Sequence, residues 1–489
     1  MKARAPLALF LCLQLCLGAA AQGLPDLGDA SAASLSETQE RTIGNRIMRE
    51  VVVDPAYVDD PEVSDYINAM GARLLAGAEG PRRDLTFFVV QDDTVNAFAL
   101  VGGHVGVHTG LITLTQSESE LAGVMGHEIA HIVQRHQARA IHGQSRAQLT
   151  SLAALALAIL ASRGSSSSQS GQITEAAVAS AGAFQMQNML DYTREHEREA
   201  DRVGLTLMER AGFDQRAMAT FFERLLRANR LNELKGAPAY LRTHPLTTER
   251  IADMQDRLQG TPMRMVADSF EYRLVRAKLR AAAGSPNEAV ELMRTMLADK
   301  TIVRPREDVY GLALALRRAR EFDAAAKTLA PIRESGTTQP GFELLAGQLA
   351  ADQGKVDDAL AIYRSALRSF PRNRGIVYAY LNLMLQNGRA RDVIADLEER
   401  LRTVQDDAQL YEIQARAFAA SGREISQHRA QAEAHYRRGN LAAAVEQLEV
   451  AVKVKASDFY EISSAESRLR ELRALLENER AAEKALKIT

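Results

Sequence analysis

Turn residues recur at a nearly constant spacing through the second half of this chain of 489 residues. They are Gly284, Arg320, Gly354, Gly388 and Gly422, which are separated by 36, 34, 34 and 34 positions. Ala or Val follows the first four of them at an offset of five positions. Helix pairs of this period stack on one another, because a single pair cannot bury its apolar face. The spacing predicts an all-α solenoid over residues 261–489.

A period of 34 residues is that of the tetratricopeptide repeat. The clearest copy, Leu349 to Pro371, has a helix of small residues, a glycine turn, a second helix and a closing proline. Gly439 follows Gly422 after only about half a period, so the array ends irregularly, and a helix over Ser463 to Leu486 is expected to cap the last repeat. Stacked pairs form a curved rod whose concave surface is suited to binding polypeptides.

The first half of the chain contains a candidate metal site at His127-Glu128-Ile129-Ala130-His131. Two imidazoles four positions apart on a helix lie on the same face, close enough to bind one metal ion. In the H-E-x-x-H arrangement of zinc peptidases, the two histidines bind Zn²⁺ and the glutamate is the general base. The alternative is a pair of histidines at the edge of the core beside a surface glutamate.

The residues around this motif favour a buried helix. Ser117 and Glu120 match a capping box, in which the serine caps the helix and the glutamate reaches back to the first turn. Apolar residues then recur with helical spacing as far as Val133. We expect this helix to continue past His131 to about His142.

Short strands are predicted before this helix. Leu85 to Gln91 is rich in strand-forming residues, and two further runs flank Gly102-Gly103, a pair typical of a tight hairpin turn. His104 and His108 fall on one face of the last strand, where they are structural or line a cleft. A free strand edge beside the site can pair with an extended peptide through main-chain hydrogen bonds. The first half is therefore expected to be α+β.

A second chemical stretch, Tyr192 to Gly204, is predicted to open a helix that Gly212 closes. The apolar face of this helix, extended one turn back, reaches His196 and Glu197. A catalytic zinc requires three protein ligands and one open position, and Glu197 is our candidate for the third ligand. Asp201, one turn further, faces the same way, where it can hold a ligand imidazole by its second nitrogen. The alternative is an ordinary charged start to a helix.

The N-terminus has the pattern of an exported chain. Residues 1–21 combine two basic residues, an apolar run and three alanines before a cleavage point, which predicts a cleavable signal peptide. Both cysteines, Cys12 and Cys16, lie within it, so the mature chain needs no disulfide. Residues 22–40 are predicted to be a flexible leader. Export of a cysteine-free chain by a signal of bacterial type indicates the periplasm.

Charge and hydrophobicity limit the partners of the chain. It has 60 basic and 62 acidic residues and a formal net charge of −2, which gives no electrostatic footprint for nucleic acid. An apolar run within residues 150–190 is too short to cross a membrane. This segment is predicted to be a packed helical pair, a lid over the cleft, or a hairpin resting on a membrane surface.

The H-E-x-x-H motif, together with Glu197-Arg198-Glu199-Ala200-Asp201, resembles the two motifs of the M48 family of gluzincin metallopeptidases. The resemblance covers about residues 40–260 and implies an α+β zincin-like metalloprotease domain over residues 41–260, followed by the tetratricopeptide-repeat solenoid. In that family the first glutamate of the second motif is the third zinc ligand. The resemblance therefore implies one Zn²⁺ per chain, held by His127, His131 and Glu197, with Glu128 as general base.

The same family has a further motif that matches Thr243-His244-Pro245. In soluble periplasmic members with a repeat domain, this histidine lies at the active site and can occupy the open zinc position in a resting state. The resemblance makes His244 a candidate regulatory fourth ligand or transition-state donor, and Tyr192 is a second candidate donor. The alternative for His244 is a helix-capping residue in a loop.

The resemblance also implies a biological role. It indicates a periplasmic zinc endopeptidase in outer-membrane protein quality control, which promotes assembly and degrades misassembled β-barrel proteins. Its substrates would be unfolded or misassembled outer-membrane proteins, the repeat domain would dock on the assembly machinery, and residues 150–190 would offer peripheral membrane contact. The alternative is a chaperone or adaptor scaffold of that machinery in which protease activity is latent or minor.

Overall fold

The computed structural model describes residues 36–79, 84–141, 194–231, 239–262, 264–298, 306–335, 338–455 and 459–485. The predicted signal peptide, nearly all of the predicted leader and the whole 150–190 segment lie outside these residues. Cys12, Cys16 and Tyr192 also lie outside them.

The N-terminal half combines helices with one small sheet. Its elements are α1 (Glu37–Val51), α2 (Pro61–Leu75), β1 (Thr86–Val90), β2 (Ala97–Leu100), β3 (His104–His108), α3 (Thr109–Leu114), α4 (Glu118–Val133), α5 (His136–Ile141), α6 (Arg194–Arg210), α7 (Arg216–Leu231), α8 (Ala239–Thr243) and α9 (Thr248–Arg257). The α+β class predicted for this half is confirmed.

The described strands form a three-stranded sheet in the order β1-β3-β2. β1 and β3 are parallel, and β3 is antiparallel to β2. Gly102 and Gly103 connect β2 to β3 with φ angles of 89° and 91°, which glycine adopts without strain. A Cβ at Gly102 would also lie 2.6 Å from the carbonyl oxygen of Glu40 in α1. The predicted hairpin is confirmed, and it leaves β2 at an edge of the described sheet.

α4 lies at the centre of the N-terminal half. It packs against β2, α2, α6 and α7, and every residue from Glu118 to Ile132 is buried. Ser117 caps it as predicted, since its hydroxyl accepts a hydrogen bond from the Glu120 backbone N–H at 3.2 Å. Glu120 does not complete the capping box, because its carboxylate accepts from the backbone N–H of Gln116 and from the Arg224 guanidinium.

The predicted continuation of α4 to His142 is wrong. α4 ends at Val133, Arg135 adopts the left-handed conformation with φ 53°, and α5 starts afresh at His136. No glycine or proline marks this break. The Arg135 guanidinium instead bonds the Glu40 carboxylate of α1 at 2.8 and 3.2 Å, a tertiary contact that holds the turn.

The C-terminal half is helical wherever the structure describes it. Its helices are α10 (Phe270–Ala282), α11 (Pro286–Ala298), α12 (Arg306–Arg318), α13 (Phe322–Glu334), α14 (Pro340–Asp352), α15 (Val356–Ser369), α16 (Arg374–Gln386), α17 (Ala390–Arg400), α18 (Ala408–Ala420), α19 (Glu424–Arg437), α20 (Leu441–Ala451) and α21 (Phe459–Ala485). Successive helices pack on one another, as in a solenoid. The predicted repeat array is confirmed.

The predicted turn residues separate the two helices of each pair. All of them have positive φ, from 58° at Gly284 to 77° at Gly354, and Arg320 adopts the same conformation with φ 64°. The capping helix α21 begins at Phe459, four residues before the predicted Ser463. Its apolar side chains join a core cluster with those of α19 and α20, which shields the end of the array.

The array contacts the N-terminal half through its first helix, a helix in its middle and its last helix. Lys278 of α10 forms an ion pair with Asp60 at 2.6 Å, just before α2, and Arg374 of α16 pairs with Asp65 of α2 at 2.7 Å. In the last helix, α21, glutamates at 479 and 483 pair with Arg49 of α1 at 2.6 and 3.1 Å. The repeats therefore curve back against the domain that carries the candidate metal site.

No helix within the described ranges is both long enough and apolar enough to span a lipid bilayer.

Candidate metal centre

Two histidines of α4 direct their side chains to one point. His127 and His131 lie one helical turn apart, and their Nε2 atoms are 3.0 Å from each other. Both side chains are fully buried. Buried ring nitrogens need a partner, and two that face each other so closely can share a proton or a cation.

α6 brings a carboxylate to the same point. Glu197 Oε2 lies 3.4 Å from His127 Nε2, and Glu197 Oε1 lies 3.4 Å from His131 Nε2. The two helices can approach this closely because they cross at glycines. A Cβ on Gly204 would lie 3.1 Å from the backbone nitrogen of His127, and a Cβ on Gly126 would lie 3.3 Å from the carbonyl oxygen of Gly204.

Replacing Gly204 with alanine is expected to separate α4 from α6. The new methyl group would press on backbone atoms of Gly126 and His127, which move only with their helix. We expect the free energy of unfolding to fall by about 1–3 kcal/mol, the usual cost of overpacking. We also expect weaker metal binding, because Glu197 moves away from the histidines. Denaturant unfolding and a zinc competition titration measure the two effects, and wild-type zinc affinity in the variant would contradict this role of the crossing.

The residue after α8 supplies a third imidazole. His244 Nδ1 lies 3.0 Å from Glu197 Oε1 and 3.4 Å from His127 Nε2. Its other ring nitrogen, Nε2, lies 3.4 Å from Glu128 Oε1. His244 is buried, so it is part of the same cluster as the residues of α4 and α6.

Packing on α8 fixes the position of His244. Its ring stacks on Tyr240, with ring centroids 4.7 Å apart, and the backbone N–H of Tyr240 donates to the carbonyl of Val95 at 3.2 Å. The side chain of His244 does not cap α9, because the hydroxyl of Thr247 fills that position. Sequence reasoning did not single out Tyr240, whose buried hydroxyl makes no hydrogen bond to the described residues.

Two charged groups support His127 from behind. Asp201 Oδ1 lies 3.0 Å from His127 Nδ1, which is where the helical face predicted from the sequence puts this carboxylate. Arg250 of α9 donates to both Asp201 oxygens at 2.8 Å, and its guanidinium lies 2.6 Å from Glu197 Oε2. A bidentate guanidinium fixes a carboxylate in both position and orientation. Arg250 therefore holds Asp201 and Glu197 together, and sequence reasoning missed it.

Burial and charge act in opposite directions on the pKa values of the cluster. Burial favours neutral imidazole, but Asp201 and Glu197 outweigh it at His127 and raise its pKa to about 9. Burial prevails at His131 and holds its pKa well below the usual value. Burial opposes ionisation of Glu197, but His244 and His127 hold its pKa well below the usual range. In the metal-free cluster at neutral pH, Glu197 is therefore a carboxylate and His131 a neutral imidazole, whereas His127 is protonated and must release that proton when a metal ion binds.

Glu128 has a different environment from the other acidic groups. Its side chain is fully buried, and neither carboxylate oxygen forms a hydrogen bond with the residues described. The Nε2 atom of His244 lies 3.4 Å from the Oε1 atom of Glu128. A buried carboxylate without hydrogen bonds is costly in a purely structural role, so its position beside the cluster indicates a functional one.

The donor set fits a metal ion in chemistry, spacing and charge. His127, His131, Glu197 and His244 each offer an atom within 4.8 Å of the others, and this is the one such group found among the described residues. The distances from His127 to His131 and from Glu197 to the three histidines are 3.0–3.4 Å, close to the edge of about 3.3 Å of a tetrahedron with metal–ligand bonds of about 2.0–2.1 Å. Glu128, Glu197 and Asp201 outnumber the one guanidinium beside them, so a cation balances the local charge.

The other histidines that the structure describes in the N-terminal half divide into two groups. His104 and His108 lie outside the metal-binding group; His108 Nδ1 lies 2.9 Å from the hydroxyl of Thr94. His136 was not singled out by sequence reasoning, yet its Nδ1 lies 2.8 Å from His131 Nδ1. His196 stacks on His136, with ring centroids 4.4 Å apart.

These features define a metallopeptidase joined to a repeat domain. Within the α+β domain, one helix supplies two histidines and a second helix supplies a glutamate, and a helical repeat array follows the domain. The model for Peptidase family M48 matches residues 61–258, and a tetratricopeptide repeat model matches residues 350–417. The chain belongs to the M48 peptidase family.

Relatives of the chain carry both halves. The β-barrel assembly-enhancing protease of Escherichia coli strain K12 is 32% identical to it over 459 residues, which cover 94% of this chain and 92% of that protein. The protein of that name from Yersinia pestis is 30% identical over 468 residues, which cover 94% of each chain. The mitochondrial metalloendopeptidase OMA1 of Schizosaccharomyces pombe is 32% identical over 194 residues, which cover 40% of this chain and 52% of that protein.

Proposed function

We propose that the chain is a periplasmic zinc endopeptidase that acts on β-barrel outer-membrane proteins during their assembly. Residues 1–21 are its signal peptide, 41–260 its peptidase domain and 261–489 its repeat domain. The convergence of His127, His131 and Glu197 from two separate helices, at the spacing of zinc ligands, is the observation that carries this proposal.

His127, His131 and Glu197 would hold one Zn²⁺ per chain. Zinc, when bound, supplies Lewis acidity that makes water a nucleophile near neutral pH and polarises a peptide carbonyl. Glu128 is the general base: its free carboxylate oxygens accept the proton of the attacking water and then deliver it to the leaving amine. Asp201 keeps His127 in the tautomer that leaves Nε2 for the metal.

β2 is positioned to hold the substrate. It is an edge strand of the described sheet and packs against α4, so an extended peptide paired with it would run past the metal cluster. Two carbonyl groups along this edge already have partners within the chain. Ala99 O accepts from the Gln137 side chain at 2.6 Å, and Val95 O accepts from the Tyr240 N–H at 3.2 Å. The segment that carries His244 therefore covers the approach to β2.

His244 closes the resting site. Its Nδ1 stands at ligand spacing from Glu197 and His127, which favours a regulatory fourth ligand over a transition-state donor. The site opens when α8 leaves the β2 edge. This movement removes His244 from the cluster and at the same time frees the carbonyl group of Val95. Substrate pairing with β2 and release of His244 are thereby coupled.

Replacing His244 with alanine is expected to increase cleavage of a short unstructured peptide by about tenfold, since the closed population no longer competes with substrate. Initial rates at saturating zinc measure the change. Ala replacement at Arg242, an exposed residue of α8, is the matched control. A large loss of rate with zinc still bound would identify His244 as a transition-state donor instead.

The assignment of substrate rests on the relatives and on the second half of the chain. Two of the relatives named above, those that align with nearly the whole chain, are β-barrel assembly-enhancing proteases. The tetratricopeptide array provides a surface for unfolded or misassembled outer-membrane proteins and for the outer-membrane assembly machinery. Residues 150–190 lie outside the described residues, and their assignment as a packed helical pair, a lid or a membrane-surface hairpin stays a prediction.

A second candidate function is favoured by the closed site. With His244 in the cluster and the β2 edge covered, the chain resembles an adaptor whose main task is binding and whose protease activity is latent. In that case the repeat array alone carries the biological effect.

One experiment on the purified mature chain tests both candidates. We expect elemental analysis to find about one zinc per chain, and an unfolded β-barrel outer-membrane protein to be cleaved while the same protein, folded in detergent micelles, is not. A chelator should abolish cleavage, and stoichiometric zinc should restore it. A zinc-free active chain would overturn the metal assignment. Zinc binding without cleavage of the unfolded protein would favour the adaptor.

A further inference from the structure

The break in α4 brings a second histidine behind a metal ligand. In an unbroken helix, residues five apart are rotated by about 140°, so His131 and His136 would point to different faces. The left-handed turn at Arg135 folds α5 back instead. As a result, His136 Nδ1 lies 2.8 Å from His131 Nδ1, and the His136 side chain is fully buried.

His136 is bonded at its other ring nitrogen as well. Its Nε2 lies 3.1 Å from Glu199 Oε2 on α6, and Arg139 of α5 donates to the same oxygen at 2.7 Å. Glu199 is about a quarter exposed, so this pair reaches the surface of the protein. A continuous chain of contacts thus runs from the cluster through two imidazoles to a carboxylate.

The directions of the hydrogen bonds in this chain follow from the metal site. When His131 Nε2 gives its lone pair to a metal, the neutral ring carries its proton on Nδ1. That N–H must donate to His136 Nδ1, which therefore carries its own proton on Nε2 and donates to the Glu199 carboxylate. One tautomer of each ring satisfies both of these contacts.

We propose that His136 and Glu199 are positioning residues that fix the tautomer and orientation of His131 for the metal. This inference rests on the proposed function, since it requires His131 to be a ligand. Asp201 and Arg250 support His127 from behind in the corresponding way. The two histidines of the motif therefore have separate supports: a carboxylate directly behind His127, and an imidazole–carboxylate pair behind His131.

Packing is the competing explanation for His136. Its ring stacks on His196, with an interplanar angle of 14°, so its bulk alone could maintain the contact between α5 and α6. Packing and positioning predict different zinc affinities when His136 is replaced by asparagine or by glutamine. Asparagine places an acceptor near the position of Nδ1, whereas glutamine reaches toward Glu199 and leaves His131 Nδ1–H without its acceptor.

The test is the zinc affinity of the full mature chain, measured by competition with a chromophoric chelator, together with the visible spectrum of the Co²⁺-loaded chain. We expect His136→Ala and His136→Gln to bind zinc about 10–100-fold more weakly than wild type, as is typical when an outer partner of a ligand is lost. We expect His136→Asn to stay within about threefold of wild type and to keep the wild-type Co²⁺ spectrum. Glu199→Ala should weaken binding about tenfold, whereas Glu195→Ala, an exposed residue of the same helix, should not.

Each result decides the matter. Equal losses in His136→Asn and His136→Gln would mean that the ring acts by packing and would overturn the proposal, as would wild-type affinity in all of the variants. If the His136 variants fail to fold without metal, the zinc affinities of Glu199→Ala and Glu195→Ala are compared instead. Weaker binding in Glu199→Ala alone supports the proposal, and equal affinities overturn it. A wild-type chain that binds no zinc would refute the proposed function. A wild-type chain that binds zinc, with variants of unchanged affinity, would refute only the positioning role of His136 and Glu199.

Discussion

Glu128→Gln is expected to reduce the rate of peptide cleavage by about 10²–10⁴-fold, the contribution of a general base. Glutamine keeps the size and shape of the side chain but cannot accept a proton from water. The Glu128 carboxylate is fully buried, forms no hydrogen bond with the described residues and lies outside the set of metal-binding atoms. The substitution should therefore spare the fold and the metal. Single-turnover cleavage of an unfolded outer-membrane protein measures the loss.

Metal content is the control for this variant. We expect Glu128→Gln to retain about one zinc per chain and the wild-type thermal unfolding temperature, so that the loss belongs to the chemical step. A matched substitution, Glu195→Gln, changes an exposed glutamate on α6 and should leave the rate unchanged. Cleavage at the wild-type rate in zinc-loaded Glu128→Gln would contradict the proposed base.

Residues that act within one helix could be placed from the sequence alone. The spacing of His127 and His131 fixes their common face, and the apolar pattern of α6 puts Glu197 and Asp201 on its inward side, which is where the structure has them. Arg250 could not be found this way, because its contact with Asp201 spans 49 residues and depends on the packing of α9 against α6. No helical period or spacing rule links two such positions.

Breaks in helices were predictable only where a glycine or the repeat period marks them. Glycine turns carry most of the repeat period, and each has the positive φ that glycine permits. Arg320 was recognised because it falls on the period. Arg135 has no such repeat to reveal it, and its left-handed conformation is held by Glu40, 95 residues away. The contact of His136 with His131 was not predicted, because a continuous helix would direct His136 away from the metal cluster.

Glu197→Ala should lower zinc affinity by about 10³-fold, more than the tenfold to hundredfold loss typical of an outer partner, because it removes one of three ligands. It also removes the contact of 2.6 Å with Arg250, although Arg250 keeps both bonds to Asp201. We expect the metal-free variant to be less stable by about 3 kcal/mol, the lower end for a broken buried ion pair. Elemental analysis after dialysis and calorimetric unfolding measure the two losses.

Zinc dependence of unfolding separates these two losses. A ligand that binds only the folded state stabilises it by about 2.7 kcal/mol at a concentration 100 times its dissociation constant. Wild type and the exposed-site control Glu195→Ala should therefore unfold at a higher temperature when zinc is added, whereas Glu197→Ala should not respond at the same concentration. A wild-type zinc response in Glu197→Ala would mean that another group completes the metal site, and the two-histidine, one-glutamate assignment would fail.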